Sequence, residues 1–421
     1  MLENVLDKSL SFLLTPYSAK AIFRTIRSPM RMRRAGGARS WAWVAVVGVG
    51  VAMLGGCSSL RTKPPAEYVY VTAQQTFLRD RVAAVSNRTG TVQNGEKLVV
   101  LEHGRRFVRV RSPEGAEGWI DEKAVATEQV YDAFQVLRES HRGDPAVASA
   151  VVRDEANLHL KPGRETERFY RMAEGDKLQL LERATLPKPT VPGAAPVKAA
   201  AGRAGKDAKP AGAPGTDAAP PPAMEDWWLA RDAHGRTGWL LSRYLDMDAP
   251  DSLTRYSEGQ RIVGAYVLTT VYDPGADQAD KNIPIYLTVM GPYAAGLPYD
   301  FDQVRVFTWN GKMHRYETAF REKNMEGYLP VTIRTATDPY GKSGVAQTPA
   351  PTFAYKVLAA DAGAVVPNPV TGMVTPGKTI EKTYRLEGNL VRRVGPPGSK
   401  DEAEAHPVAE EKKEKGKGKK R

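Results

Sequence analysis

The chain has 421 residues, a formal net charge of +12 and a single cysteine. One cysteine excludes a disulfide within the chain, so hydrophobic cores must hold the fold, and the length predicts two to four domains. Half of the net charge lies in residues 1–57, and the mild basic bias of the remainder does not indicate binding to nucleic acid.

The N-terminal segment has the three parts of a secretory signal. A basic stretch, Arg31–Arg39, precedes the apolar run Trp41–Leu54, and the small residues Gly55 and Gly56 follow. This order is typical of an export signal with a small-residue cleavage site. The apolar run has 14 residues, whereas a membrane-spanning helix needs about 20, so the pattern favours a cleaved signal over a transmembrane helix.

The cysteine stands at the end of this segment. The sequence Leu54-Gly55-Gly56-Cys57 resembles the bacterial lipobox. The resemblance implies that Cys57 carries a covalent diacylglycerol and an N-acyl lipid, and that no other cofactor is needed. Ser58, in place of an aspartate, resembles the sorting signal of outer-membrane lipoproteins. We therefore expect a protein of the bacterial cell envelope, lipid-anchored in the outer membrane and facing the periplasm.

Residues 1–57 are longer than an ordinary lipoprotein signal. We expect the true start of the chain at Met30 or Met32, which would give a signal of ordinary length. Residues 58–66 then form a short polar tether between the lipid and the first folded domain.

Two segments of the mature chain repeat one pattern. The first, residues 67–126, has β-strand character at Tyr68–Val71, Leu98–Leu101 and Phe107–Val110, with turns at Asn94-Gly95 and Glu114-Gly115. The second, residues 149–246, repeats it in order. The matched pairs are Phe77–Asp80 with Leu158–Lys161, Gly95–Glu102 with Gly175–Glu182, Phe107–Val110 with Trp228–Arg231, and Gly118–Ile120 with Gly238–Leu240.

The shared order of these motifs resembles the bacterial SH3 domain, and the resemblance implies one small β-barrel in each copy. The second copy departs from the pattern because residues 185–223, rich in Ala, Gly, Lys and Pro, interrupt it. Such a composition cannot bury a core and predicts a disordered insert. Residues 127–148 join the copies, and their spacing of apolar residues predicts a helix over Glu128–Arg142.

Residues 255–396 form a larger β-rich region of no family that we recognise. Their alternating apolar pattern predicts an antiparallel sandwich or small barrel. The predicted strands are Ile262–Val271, Ile283–Val289, Gln303–Trp309, Met313–Glu317, Leu329–Arg334, Phe353–Leu358, Lys382–Leu386 and Leu390–Val394. Residues 397–421 are predicted to be a disordered charged tail. The fold class is therefore mainly β: two tandem SH3-like barrels joined by a short helix, then a larger antiparallel β domain.

The sequence shows no set of residues typical of catalysis. The six histidines are scattered without metal-ligand spacing, and the only thiol is assigned to lipid. We therefore predict no metal site and no enzymatic activity. An uncharacterised hydrolase within residues 255–396 is the least favoured alternative.

Five aromatic residues are the best candidates for ligand binding. The SH3 resemblance implies a peptide groove on each barrel, which Tyr70, Phe77, Trp227, Trp228 and Tyr244 are expected to line. Successive side chains of a strand point to opposite faces, so one of Trp227 and Trp228 is expected to lie outside the core. Trp119 and Trp239 are expected inside it.

Two functions are compatible with these features. The first is a non-catalytic envelope lipoprotein whose barrels bind peptidoglycan peptide or a partner protein, while the lipid holds the membrane. The alternative is a scaffold or assembly subunit of an envelope complex, in which the C-terminal β domain is the working part.

Overall fold

A computed structural model describes residues 66–83, 86–189, 222–398 and 402–407. The predicted signal segment, Cys57, the tether to Pro65, most of the insert and the end of the tail lie outside these residues. Strands make up 51% of the structure and helices 9%, and the sheets are antiparallel. This confirms the predicted fold class. No helix in the described ranges is long and apolar enough to cross a membrane.

The first barrel is a sheet of seven short strands around a small aliphatic core. The strands are β1 Tyr68–Val71, β2 Gln75–Arg79, β3 Arg88–Gln93, β4 Lys97–His103, β5 Phe107–Arg111, β6 Glu117–Asp121 and β7 Val125–Thr127. They are ordered β3-β2-β6-β5-β4-β1-β7. Leu78, Val110 and Ile120 lie in its core, and a 3-10 turn, Glu122–Ala124, precedes the last strand.

The second barrel has the same strand order. Its strands are β8 Ala148–Val152, β9 Ala156–His159, β10 Arg168–Met172, β11 Lys177–Pro187, β12 Met224–Asp232, β13 Thr237–Leu241 and β14 Leu245–Met247, ordered β10-β9-β13-β12-β11-β8-β14. A 3-10 turn, Ser242–Tyr244, again precedes the last strand. The two barrels are therefore copies of one topology.

Strand pairing corrects the alignment of the two copies by one residue. Arg79 pairs with Trp119 in the first barrel, and His159 pairs with Trp239 in the second. Leu78 therefore corresponds to Leu158, and in the same way Phe107 corresponds to Trp227 rather than to Trp228. The sequence alignment matched aromatic character, whereas the pleat of the strand decides which residue faces the core.

A helix, α1 Glu128–Ser140, joins the barrels. Phe134 is fully buried and contacts Phe169 and Tyr170 of the second barrel. Tyr131 stacks on Tyr70 of the first barrel with ring centroids 3.9 Å apart. The helix therefore packs against both barrels.

The insert of the second barrel begins later than the sequence indicates. β11 continues to Pro187, and its last three residues pair with Met224–Asp226. Thr185 is buried, and its hydroxyl donates a hydrogen bond to Asp226 at 2.7 Å. Residues 185–187, predicted to be disordered, therefore form strand, because the backbone ladder of the hairpin satisfies their polar groups. Residues 190–221 lie outside the described part of the chain.

The C-terminal region is a seven-stranded sheet in which consecutive strands pair. Its strands are β15 Arg261–Tyr272, β16 Asn282–Gly291, β17 Phe301–Asn310, β18 Arg315–Ala336, β19 Ala350–Leu358, β20 Thr379–Glu387 and β21 Leu390–Arg393. Short helices, α2 Asp251–Thr254 and α3 Gly344–Gln347, lie beside it. The main core includes Leu287, Val306 and Tyr355.

One long strand of this sheet was predicted as two short ones. β18 is one unbroken strand that joins the two predicted strands, Met313–Glu317 and Leu329–Arg334. It starts at Arg315, two residues later than predicted. Charged residues between these segments hid its continuity. The pairing of β18 with β19 shifts between Tyr328 and Thr332, which accommodates Pro330, a residue with no amide N–H for the ladder.

Part of the predicted disordered tail is ordered against this sheet. The amide of Ala405 donates to the carbonyl of Leu358 at 2.9 Å, and Glu404 lies 2.6 Å from the buried ammonium of Lys382. Residues 402–407 therefore contradict the prediction for 397–421, because backbone pairing and an ion pair fix them.

A buried arginine joins the second barrel to the C-terminal sheet. Arg183 donates to the carboxylate of Asp300 at 2.7 Å and to the carbonyl of Tyr299 at 3.0 Å, and it lies 3.5 Å from Asp226. Burial alone would lower the pKa of Arg183, but the two carboxylates outweigh burial and raise it. The charged guanidinium therefore ties these two parts of the molecule together.

Candidate binding groove of the second barrel

The predicted ligand-binding aromatics lie in different settings, and of the five the structure brings Trp227 and Tyr244 together. Tyr70 is buried against Tyr131 and packs the first barrel onto α1. Phe77 is half-buried, and the guanidinium of Arg88 lies 3.8 Å above its ring centroid. Tyr70 therefore has a packing role, and Phe77 is covered by a cation–π contact.

Trp227 and Trp228 point to opposite faces of β12, yet both are buried. Trp228 lies in the barrel core, and Trp227 lies in a second apolar cluster on the outer face. Leu137 of α1 and Met373 of the C-terminal region pack against that outer cluster. Trp227 therefore lies outside the barrel core as expected, but it is not exposed, because the outer face of this barrel is covered by other parts of the chain.

Trp119 and Trp239 also lie outside the barrel cores, contrary to expectation. Ile120 and Leu240 occupy the cores instead. Trp239 joins the outer apolar cluster of the second barrel, and Trp119 is half-buried on the corresponding face of the first. Strand alternation explains why both tryptophans lie outside the cores: the residue that follows each tryptophan points inward, so the tryptophan itself points outward.

Two of the five, Tyr244 and Trp227, line an open groove. The groove has a volume of about 370 Å³ and runs beside β9, β10 and the turn Ser242–Tyr244. Trp227 and Leu241 contribute to its apolar wall. Its charged lining consists of four arginines and two glutamates: Arg164, Arg168, Arg171, Arg243, Glu155 and Glu165.

Two of these arginines already have carboxylate partners. Arg164 bonds to Glu225 at 2.9 Å, and this hydrogen bond raises the pKa of Arg164. Arg171 bonds to Glu155 at 3.2 Å. Both side chains therefore stabilise the walls of the groove.

The other two arginines are available to a ligand. Arg168 and Arg243 form no ion pair within the described residues. Arg243 lies over the ring of Tyr244, with its guanidinium carbon 4.6 Å from the centroid. A guanidinium presents a planar set of donors that matches a carboxylate, so this pair of side chains is suited to an acidic ligand.

His159 contributes a neutral ring to the groove wall. Burial and then the positive charge of Arg168 lower the pKa of His159 to about 4. Its Nδ1 lies 3.0 Å from the hydroxyl of Thr166, and its ring meets Trp227 edge to face. At neutral pH the ring is therefore uncharged and leaves the positive charge to the arginines.

The sequence analysis missed Arg168, Arg243 and His159. A signal was present, since the corrected alignment places Arg88 opposite Arg168 and Lys123 opposite Arg243. Basic residues therefore recur at the groove position of both copies. Within the described residues, no three His, Cys, Asp or Glu side chains are placed to hold a metal ion.

A family model for the bacterial SH3 domain matches residues 76–126, which span β2 to β7. Those residues are similar to the bacterial SH3 domain. The match confirms the resemblance for the first barrel, and the second barrel shares its strand order. No curated protein matches the chain.

Three of the similar solved structures come from Trichomonas vaginalis and Bacillus cereus. NlpC2 and NlpC1 from Trichomonas vaginalis are 10% and 11% identical, cover 51% and 53% of this chain, and have TM-scores of 0.14 and 0.15. An NlpC/P60 family protein from Bacillus cereus ATCC 10987 is 9% identical over 60% of this chain, with a TM-score of 0.20. The chain spans 61% of each Trichomonas protein and 98% of the Bacillus protein.

These similarities contradict the prediction that the chain is not an enzyme. All three proteins carry the name of NlpC or NlpC/P60, a family of cell-wall hydrolases. The prediction of a non-catalytic protein is therefore withdrawn. TM-scores of 0.14–0.20 transfer neither a fold nor a catalytic residue to this chain.

Proposed function

We propose that the protein binds the peptide part of the bacterial cell wall through the groove of its second barrel. The bacterial SH3 domain at residues 76–126 supports a cell-wall-related function. The observation that carries the proposal is the pair Arg168 and Arg243, which have no ion-pair partner in the described residues and stand beside the half-buried ring of Tyr244. Cell-wall peptides carry free carboxylates, which this pair is suited to bind.

The groove has the features of a small, selective binding site. Its volume of about 370 Å³ lies in the range of pockets for small ligands. Trp227 and Leu241 offer apolar contact, while Arg168 and Arg243 fix the orientation of acidic groups. Peptides with a carboxylate are expected to bind, and their amidated forms are expected to bind weakly.

The lipid at Cys57 is proposed to hold the protein to the envelope membrane. The basic stretch, the apolar run and the lipobox-like residues before Cys57 support this role. Several acyl chains on one cysteine would make anchoring stable, whereas one chain holds only marginally.

Sedimentation with purified peptidoglycan sacculi tests the binding proposal. The detergent-solubilised full-length chain is expected to pellet with sacculi. Arg168→Gln and Arg243→Gln are each expected to weaken binding about tenfold, because each removes a charged hydrogen-bond donor worth roughly 1.5 kcal/mol. Arg88→Gln, at the corresponding position of the first barrel, is the matched control and is expected to bind like the parent.

Two results would overturn the proposal. One is a parent chain that stays in the supernatant under conditions where a known peptidoglycan binder sediments. The other is a set of groove variants that pellet as well as the parent does, with thermal melts showing that all variants are folded.

Fractionation of Cys57→Ser tests the anchor. We expect the parent in the membrane fraction and the variant in the soluble fraction, because a serine oxygen cannot form the thioether. Unchanged membrane association of the variant would refute the lipid anchor without touching the binding groove.

A further inference from the structure

The groove of the second barrel adjoins two larger cavities. The first, of about 540 Å³, lies between the two barrels and is named here the barrel-junction cavity. The second, of about 580 Å³, lies between the second barrel and the C-terminal sheet and is named the sheet-junction cavity. Asn157, Glu165 and Arg168 line both the groove and the barrel-junction cavity. Arg243 lines both the groove and the sheet-junction cavity. The three spaces therefore neighbour one another along the surface of the second barrel.

The two arginines without ion-pair partners stand at the two transitions. Arg168 lies where the groove meets the barrel-junction cavity, and Arg243 lies where it meets the sheet-junction cavity. Asn157, at the first transition, has a side-chain oxygen with no hydrogen-bond partner among the described residues. A ligand confined to the groove would reach these groups only at its ends, whereas a longer ligand would pass across them.

The charged lining of the barrel-junction cavity has four glutamates, Glu67, Glu122, Glu165 and Glu167, and two basic side chains, Lys123 and Arg168. Glu122 and Glu167 line it, and neither makes an ion pair within the described residues. Both side chains are exposed. This end of the path therefore favours an amino group, in contrast to the arginines in the middle.

A further arginine, Arg261, lines the sheet-junction cavity and is only distantly paired with a carboxylate. Asp246 is bonded to Arg153, and Asp248 is bonded to Lys177 at 3.1 Å. Arg261 lies 3.9 Å from the nearest oxygen of Asp226, and a quarter of its side chain is exposed. At that distance Asp226 makes no hydrogen bond to it, so Arg261 can accept a further acidic partner.

We propose that the three cavities form one continuous binding track for an extended peptide. Successive carboxylates of that peptide contact Arg168, Arg243 and Arg261, and an amino group lies beside Glu122 and Glu167. The inference rests on the proposed function and extends it, since the preferred ligand is longer than one cell-wall stem peptide. Two stem peptides joined by a cross-link have this length and this mixture of charges.

Calorimetry on the full-length chain with two probes tests the track. The probes are the tetrapeptide L-Ala-γ-D-Glu-meso-diaminopimelate-D-Ala and the cross-linked dimer of the same peptide. The dimer is expected to bind at least tenfold more tightly than the monomer, because it adds contacts at the ends of the track.

Variants at the ends of the track separate this proposal from the groove itself. Arg261→Gln, and separately the double variant Glu122→Gln with Glu167→Gln, are expected to reduce dimer affinity towards that of the monomer and to leave monomer affinity unchanged. Glu122 and Glu167 are exposed, so their replacement tests the track without endangering the fold. Arg168→Gln is expected to weaken both probes.

Equal affinity for the two probes, or end variants without effect on the dimer, would overturn the track. If Arg168→Gln still weakens binding in that case, the groove proposal survives. Failure of both probes to bind would overturn both proposals together.

Discussion

The two barrels share a strand order but present different surfaces at corresponding positions. In the first barrel, Arg88 lies on the ring of Phe77. In the second, the corresponding arginine, Arg168, lies opposite His159 and lines an open groove. One small scaffold has therefore produced a covered surface in one copy and a candidate binding site in the other.

The two barrels differ even more at two other corresponding positions. His103 of the first barrel is exposed and pairs with Glu67 at 2.9 Å, whereas Arg183, at the corresponding strand position, is buried against Asp300. Arg109 of the first barrel corresponds in the same way to Leu229 on the outer face of the second. The first barrel keeps polar side chains at both positions, and the second uses the same positions to pack against the rest of the molecule.

Replacement of the buried arginine is expected to have the largest effect. Arg183→Met leaves Asp226 and Asp300 buried without their cation, which is expected to lower the free energy of unfolding by about 3–5 kcal/mol. His103→Met is the matched control in the first barrel and is expected to change it by less than about 0.5 kcal/mol. Urea unfolding followed by tryptophan fluorescence measures both. Equal effects of the two variants would show that these two corresponding positions do not differ as described.

The glycines of the two barrels are expected to behave alike. A Cβ at Gly118 would lie 2.8 Å from that of Leu78, and a Cβ at Gly238 would lie 2.7 Å from that of Leu158. Gly118→Ala and Gly238→Ala are each expected to destabilise the protein by about 1–3 kcal/mol through overpacking. Gly143→Ala, which meets nothing within 4 Å, serves as the control. A neutral result at either crowded glycine would argue against the shared register.

A smaller effect is expected from pH. The folded-state pKa of His159, about 4, lies below its ordinary value of 6.5. Between these values the unfolded chain binds a proton that the folded chain does not, so stability falls as the pH drops through this window. Because part of the ring faces solvent, the loss is expected to be about 1–2 kcal/mol.

His159→Gln checks this prediction. Over the same pH window the free energy of unfolding of the variant is expected to fall less than that of the parent. The difference between the two is the contribution of His159. A parent and a His159→Gln variant with the same slope would refute a depressed pKa.

Much of the fold could be predicted from the sequence. Local patterns, such as Gly95-Glu96-Lys97 with Gly175-Asp176-Lys177, identified the repeat, because glycines with positive φ at both turns are required there. The sequence alignment of the two barrels was wrong by one residue, because local similarity does not show which residue of a strand faces the core. The continuity of β18 was missed because the charged residues between its two predicted segments, such as Arg321, Glu322 and Lys323, interrupt the apolar pattern.

The candidate site was harder to predict. Strand alternation places Trp227 on the outer face of the barrel, but it does not show what covers that face. A signal was available, since β12 and β13 are apolar on both faces, as Leu229 and Leu241 show. Strands of this kind are covered on both sides. Arg168 and Arg243 have no ion-pair partner in the part of the chain that the structure describes, and this depends on tertiary contacts, which no local pattern reveals.

Hydrogen–deuterium exchange of the full-length chain, with and without the cell-wall tetrapeptide, tests the central claim most directly. The account predicts slower exchange on peptide binding in residues 156–171 and 242–245, which form the groove of the second barrel, and no change in residues 76–91 of the first. Slower exchange confined to the first barrel, or unchanged exchange throughout, would contradict it.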